Sequence, residues 1–205
     1  SRRVDPRYRT WFSKLFSNSN GQPVLPSEIG VFTWNYDMQP ELANKERFPQ
    51  TDIAQISEQL NVYPPLQAST IARDFSKFFW YRLNGTAGVM LDRRNQVFES
   101  IIYGDFNCEN DQFLNRCLFI YAISKGHNPL FVPNLVFAFE RKHDPVSFQS
   151  ALQQIRTAES LTIIGYSFPH YNSEIDSQIF NSLQALKKVT ILDREMSIAP
   201  VRESI

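Results

Sequence analysis

Residues 134–193 read NLVFAFERKHDPVSFQSALQQIRTAESLTIIGYSFPHYNSEIDSQIFNSLQALKKVTILD, three short apolar runs separated by two amphipathic stretches. The runs NLVFAF (134–139), LTIIG (161–165) and VTIL (189–192) are nearly continuous in apolar character, as strands covered on both faces are. In DPVSFQSALQQIRTA (144–158), Asp144 reads as an N-cap, and Pro145 takes the first helical position, where its missing N–H does no harm. Phe148, Leu152 and Ile155 then form an i, i+4, i+7 stripe. In SEIDSQIFNSLQAL (173–186), Ser173 and Asp176 read as a short capping box, with Ile175, Ile179, Leu183 and Leu186 on one face. The order strand–helix–strand–helix–strand makes two βαβ units, which right-handed crossovers assemble into a parallel sheet.

Outward from this stretch, IGVFTW (29–34) and KFFWYRL (77–83) have the same strand texture. In the second, Phe78, Phe79, Trp80 and Tyr81 are consecutive, so alternate rings fill the core on both faces of a central strand. NDQFLNRCLFIYAISKG (110–126) reads as a helix ending at Gly126. Residues 40–76 and 91–109 read as helical and loop insertions. The expected class is α/β, with a main domain over 31–195, a lead-in over 1–30 and a tail over 196–205. In the lead-in, Tyr8, Trp11, Phe12 and Phe16 stand at near-helical spacing. The start SRRVDPRYRT has neither an initiator Met nor a charged-then-apolar leader, as expected of a truncated or processed product.

Composition narrows the function classes. Of 205 residues, 42% are apolar and 20% charged, enough for a sizeable core. Acids and bases balance at 21 each, so no basic field exists to hold a nucleic-acid backbone. No apolar run is long enough to span a bilayer, and cytoplasm is the default compartment. Cys108 and Cys117 are the two cysteines and read as buried thiols, with a disulfide as the alternative that the context does not support.

In an open parallel sheet, ligands bind beyond the carboxyl ends of the strands. The residues just past each strand are therefore the candidates: Asn35, Tyr36 and Asp37; Asn84, Gly85 and Thr86; Tyr166, Ser167, Phe168 and Pro169; and Asp193. Taken singly, each is ordinary turn or cap chemistry. Taken in order, TWNYD (33–37), RLNGTAG (82–88), PNLVFAFE (133–140), TIIGYSFP (162–169) and TILD (190–193) are similar to the successive motifs of sirtuin-like domains. The Asn-Tyr-Asp and Gly-Tyr-Ser spellings resemble the bacterial, zinc-free, NAD-consuming and defence-associated group more than the protein deacylases.

The resemblance implies a Rossmann-like parallel sheet with helices on both faces, and NAD or ADP-ribose as ligand. It implies that Asn35 contacts the nicotinamide ribose and the attacking water, with Asp37 ordering the loop and Thr33 beside it. It further implies that Gly85 and Thr86 line the cofactor, that Gly165 and Tyr166 admit it closely, that Ser167 binds phosphate, and that Asp193 takes the adenosine ribose. The implied reaction is NAD glycohydrolysis, loss of nicotinamide through an oxocarbenium-like state.

The chain departs from that pattern in places. Asn84 stands where the family carries its catalytic His, and a carboxamide cannot accept a proton near neutral pH. His170 is the replacement base with the best position, ahead of His127 and His143. No Gly-x-Gly phosphate loop occurs, and a strand followed by one upstream of Ser1 would supply it. Two cysteines are too few for the deacylases' zinc site, so no metal is expected. Phe139 replaces a strand glycine. The alternative expectation is a catalytically degenerate module, a ligand sensor or scaffold in a larger assembly. A homo-oligomer burying part of the aromatic surface is the plainest option.

Overall fold

The computed structural model describes residues 4–19, 22–66, 73–94, 97–100, 118, 130–135 and 145–193. The chain is mixed α/β and divides into two compact units, Ser1–Val136 and Phe137–Ile205. The described strands form four small sheets, two of them purely parallel. Among the described residues, no helix is long and apolar enough to cross a membrane.

The first unit opens with α1 (Pro6–Leu15), whose N-cap Asp5 accepts from the Arg7 N–H, with Pro6 at the first helical position. A short antiparallel pair follows, β1 (Ser17–Ser19) with β2 (Gln22–Val24). Next come β3 (Gly30–Thr33), α2 (Gln39–Arg47), α3 (Ile53–Gln59), β4 (Val62–Tyr63) and β5 (Phe79–Arg82). A complete capping box, Asp52 with Gln55, starts α3. The sheet order is β3-β5-β4, all parallel, with Thr33 opposite Arg82 and Tyr63 opposite Tyr81.

The aromatic strand divides its rings as alternation requires. Phe78 and Trp80 join Val4, Phe12, Ala43, Ile56 and Leu60 in one core, where the Trp11 ring meets Trp80 edge-on at 5.7 Å. On the opposite face Tyr81 lies 4.9 Å from Tyr63, and Phe79 meets Phe75 at 5.3 Å. The lead-in is thus part of the core, because α1 supplies the rings that cover one face of β5.

After β5 the chain leaves this sheet. β6 (Gly85–Asp92) pairs antiparallel with β7 (Val97–Ser100) on one side and with β8 (Phe131–Leu135) on the other. Of the run 134–139 read as a parallel strand, Asn134 and Leu135 are described, and they close β8, which runs antiparallel to β6; residues 136–139 lie outside the described residues. Among the described residues, β8 pairs with β6 and not with β9, so the first of the two expected βαβ units is not seen there. An apolar run exposes its strand character in sequence but not its partner, and β6 supplies the partner here.

The second unit contains α4 (Pro145–Gln154), which tightens into a 3₁₀ turn at Ile155–Thr157, then β9 (Ser160–Ile164), α5 (Ser173–Ser182) and β10 (Lys188–Leu192). β9 and β10 are parallel, with Leu192 opposite Ile164, so one βαβ unit stands as expected. Phe148, Leu152 and Ile155 are buried as their stripe predicts, and so are Ile175 and Leu183. The helix expected to Leu186 ends at Ser182, where Leu183 leaves helical geometry and its N–H turns to Phe180 O. The expected capping box is also corrected. Asn172 is the N-cap without a side-chain cap bond, and the Asp176 carboxylate accepts from the Tyr166 hydroxyl instead. Asp144, Phe139, Cys108, Cys117, His127 and His143 lie outside the described residues, and of the helix expected over 110–126 only Leu118 is described, helical and exposed.

Candidate functional site

In the first unit, parallel pairing brings the carboxyl ends of β3 and β5 side by side. Three hydrogen bonds tie the following loops together: Leu83 N–H to Thr33 O (2.8 Å), Ala87 N–H to Tyr36 O (2.8 Å) and the Asn84 amide to Trp34 O (2.7 Å). Asn35, Asp37 and Asn84 therefore share one rim. Asn35 and Tyr36 are exposed there, and Asp37 and Asn84 are half-buried. The Thr33 hydroxyl accepts from the Asn35 N–H (3.0 Å), and the Asp37 carboxylate accepts from the Gln39 N–H (3.1 Å), so both side chains shape the loop that opens α2. Gly85 and Thr86 are buried. Thr86 turns inward, 3.4 Å from the Arg82 guanidinium.

Beneath this rim lies a pair that the sequence reading missed. Arg82, the last residue of β5, donates to Glu41 of α2 at 2.5 Å, and both side chains are wholly shielded from solvent. Among the described residues, one oxygen of Glu41 and the Nε of Arg82 have no hydrogen-bond partner. The signal was present in KFFWYRL: alternation places Arg82 on the face of Phe78 and Trp80, and a buried guanidinium demands an acid. Tyr8 of α1 was also missed. Burial raises its phenol pKa, while a hydrogen bond from the Asn35 amide opposes the shift, so α1 reaches the same rim.

In the second unit, the carboxyl ends of β9 and β10 form a separate rim, where the Gly165 N–H donates to Leu192 O (3.0 Å). Gly165 and Ser167 are exposed and Asp193 is half-buried. Gly165 has φ +59° with nothing within 4 Å of where a side chain would start, so its backbone borders open space. Phe168, also at positive φ (51°), meets the Tyr166 ring edge-on at 4.7 Å and lies tilted against Phe180 at 5.8 Å. The Tyr166 hydroxyl points inward: it donates to Asp176 (2.7 Å) and accepts from the Asn172 amide (2.8 Å). His170 is exposed at the start of the 3₁₀ turn His170–Asn172. Among the described residues, no three His, Cys, Asp or Glu side chains gather as metal ligands.

Burial holds the Tyr166 phenol far above the ordinary tyrosine range; the bond to Asp176 and the charges of Asp176 and Tyr171 add to this, and Asn172 opposes it. The folded state thus keeps a proton that the unfolded chain releases near pH about 10, so stability falls as pH rises past that point. Asp176→Asn removes the carboxylate and moves the Tyr166 step downward. Tyrosinate absorbance, with Tyr166→Phe as the reference, checks this; an unmoved step would exclude Asp176 as a cause.

No family model matches this chain, and neither a curated protein nor a solved structure matches it significantly.

Proposed function

We propose that this chain is a sirtuin-like, Rossmann-related module that binds NAD or ADP-ribose. The rim of the first unit offers Asn35, Asp37 and Asn84 for a ribose, and the rim of the second offers Gly165, Ser167 and Asp193 for phosphate and ribose, each unit taken by itself. One observation carries the reading: in each unit, a parallel strand pair ends at its carboxyl edge in exposed or half-exposed polar side chains, the place where open α/β sheets take ligands. The open backbone at Gly165 adds to it, since a diphosphate needs close approach to main-chain N–H groups.

Between binding and hydrolysis, binding without turnover has the better support. Asn84 has no proton to exchange near neutral pH, and its amide is already engaged with Trp34 O. NAD glycohydrolysis is the second reading and would draw on Asn35 and Asp37. Calorimetry with NAD and with ADP-ribose, together with an assay for free nicotinamide, separates the two. Heat with both ligands and no nicotinamide is expected. Nicotinamide release would replace binding by hydrolysis, and no heat with either ligand would remove the proposal.

A further inference from the structure

The loop after β9 carries two positive-φ residues, Gly165 and Phe168, within four positions. Glycine takes this conformation freely, but at Phe168 it persists only where surrounding contacts over-determine it. The contacts here are specific. Tyr166 donates to the Asp176 carboxylate, the Asn172 amide donates to Tyr166, and Phe168 is held between the Tyr166 and Phe180 rings. Asp176 and Asn172 are buried, while Gly165 and Ser167 on either side of Tyr166 are exposed. Consecutive residues of the loop thus alternate between an inward anchor and an outward polar surface.

We infer that Tyr166, Asp176 and Asn172 form a positioning triad that fixes the Gly165–Ser167 backbone for the diphosphate of ADP-ribose. This rests on the ligand reading above and moves Tyr166 from a ligand contact to a support that acts through its neighbours. The chemistry suits the task. A phenol donating to a buried carboxylate makes a strong, directional bond, and the Asn172 amide occupies the phenol's acceptor side, so the ring has one preferred seat. A rigid loop presents its N–H groups and the Ser167 hydroxyl to the ligand without an ordering cost at binding.

The experiment measures ADP-ribose affinity of the full chain and of three variants at a temperature where circular dichroism shows each folded. Tyr166→Phe, which leaves Asp176 and Asn172 without their shared partner, is expected to weaken binding roughly tenfold or more. Asp176→Asn still offers an oxygen to the Tyr166 hydroxyl and is expected to stay within about threefold of wild type. Asn172→Ala, which spares the Tyr166–Asp176 bond, serves if Tyr166→Phe does not fold and is expected to lose a few-fold. Amide resonances of Gly165 and Ser167 give the second readout: ADP-ribose should shift them in the wild type and far less in the weakened variant.

Unchanged affinity in folded Tyr166→Phe would overturn the triad and leave the ligand assignment standing. So would equal losses in Tyr166→Phe and Asp176→Asn. Absence of ADP-ribose binding in the wild type is a different failure, that of the ligand reading itself.

Discussion

Glu41→Ala destabilises the first unit by about 3–5 kcal/mol, because it leaves the Arg82 guanidinium charged, buried and unpaired. Glu41 and Arg82 meet at 2.5 Å with no solvent access, and Thr86, a further neighbour of Arg82, is a neutral hydroxyl at 3.4 Å. Arg82→Leu is expected to cost a similar amount by stranding the Glu41 carboxylate. The double variant Glu41→Leu/Arg82→Met should cost much less than the sum, since an apolar pair has no charges to desolvate. Tryptophan fluorescence during urea unfolding is a clean probe: all three tryptophans, Trp11, Trp34 and Trp80, lie in the first unit. Additive single losses would mean that the two side chains do not act as a pair. The pair also ties together what surrounds the rim, since α2 begins just after Asp37 and β5 ends two residues before Asn84. Loss of either partner should therefore weaken any ligand held by Asn35 and Asn84.

The second large effect belongs to Gly85, and here backbone rather than charge sets the magnitude. Gly85 has φ +75°, and a side chain there would be driven into the Asn134 backbone, with its Cβ only 2.9 Å from the carbonyl carbon. Gly85→Ala is expected to cost roughly 3 kcal/mol or more, combining left-handed strain with overpacking against β8. Gly165→Ala supplies the comparison. Its φ is similarly positive at +59°, but open space surrounds it, so about 1 kcal/mol of conformational strain is the expected whole. Denaturant midpoints followed by circular dichroism compare the two, and equal losses would contradict the close approach of β6 and β8. The reason for the glycine is topological. Asn84–Gly85 is where the chain leaves the parallel sheet of β5 and enters the antiparallel sheet of β6, and the reversed φ makes that change of direction.

Much of the local structure was legible because it depends on neighbours in sequence. The continuous apolar runs marked β3, β5, β9 and β10, the stripe Phe148–Leu152–Ile155 marked α4, and four consecutive aromatic residues marked a strand buried on both faces. Asn35, Asp37 and Asn84 were legible as a group because all follow strands, and parallel pairing brings them to one edge. The capping box at Ser173 was misread because Ser-x-x-Asp describes a local option. The Asp176 carboxylate, buried beside a tyrosine hydroxyl ten residues earlier, took the stronger donor.

What remained for the tertiary structure is whatever depends on partners distant along the chain. Residues 41 and 82, or 8 and 35, share no periodicity that would announce their meeting, though alternation along β5 implies that Arg82 needs an acid somewhere. Strand direction belongs to the same class. The strand was read at NLVFAF (134–139), whereas the described strand is Phe131–Leu135, and only its register with Met90, Leu91 and Asp92 makes it antiparallel. Periodicity is a property of one segment's surface and can be read from that segment alone. Pairing is a competition among all segments for burial and hydrogen bonds, and only the folded chain decides it.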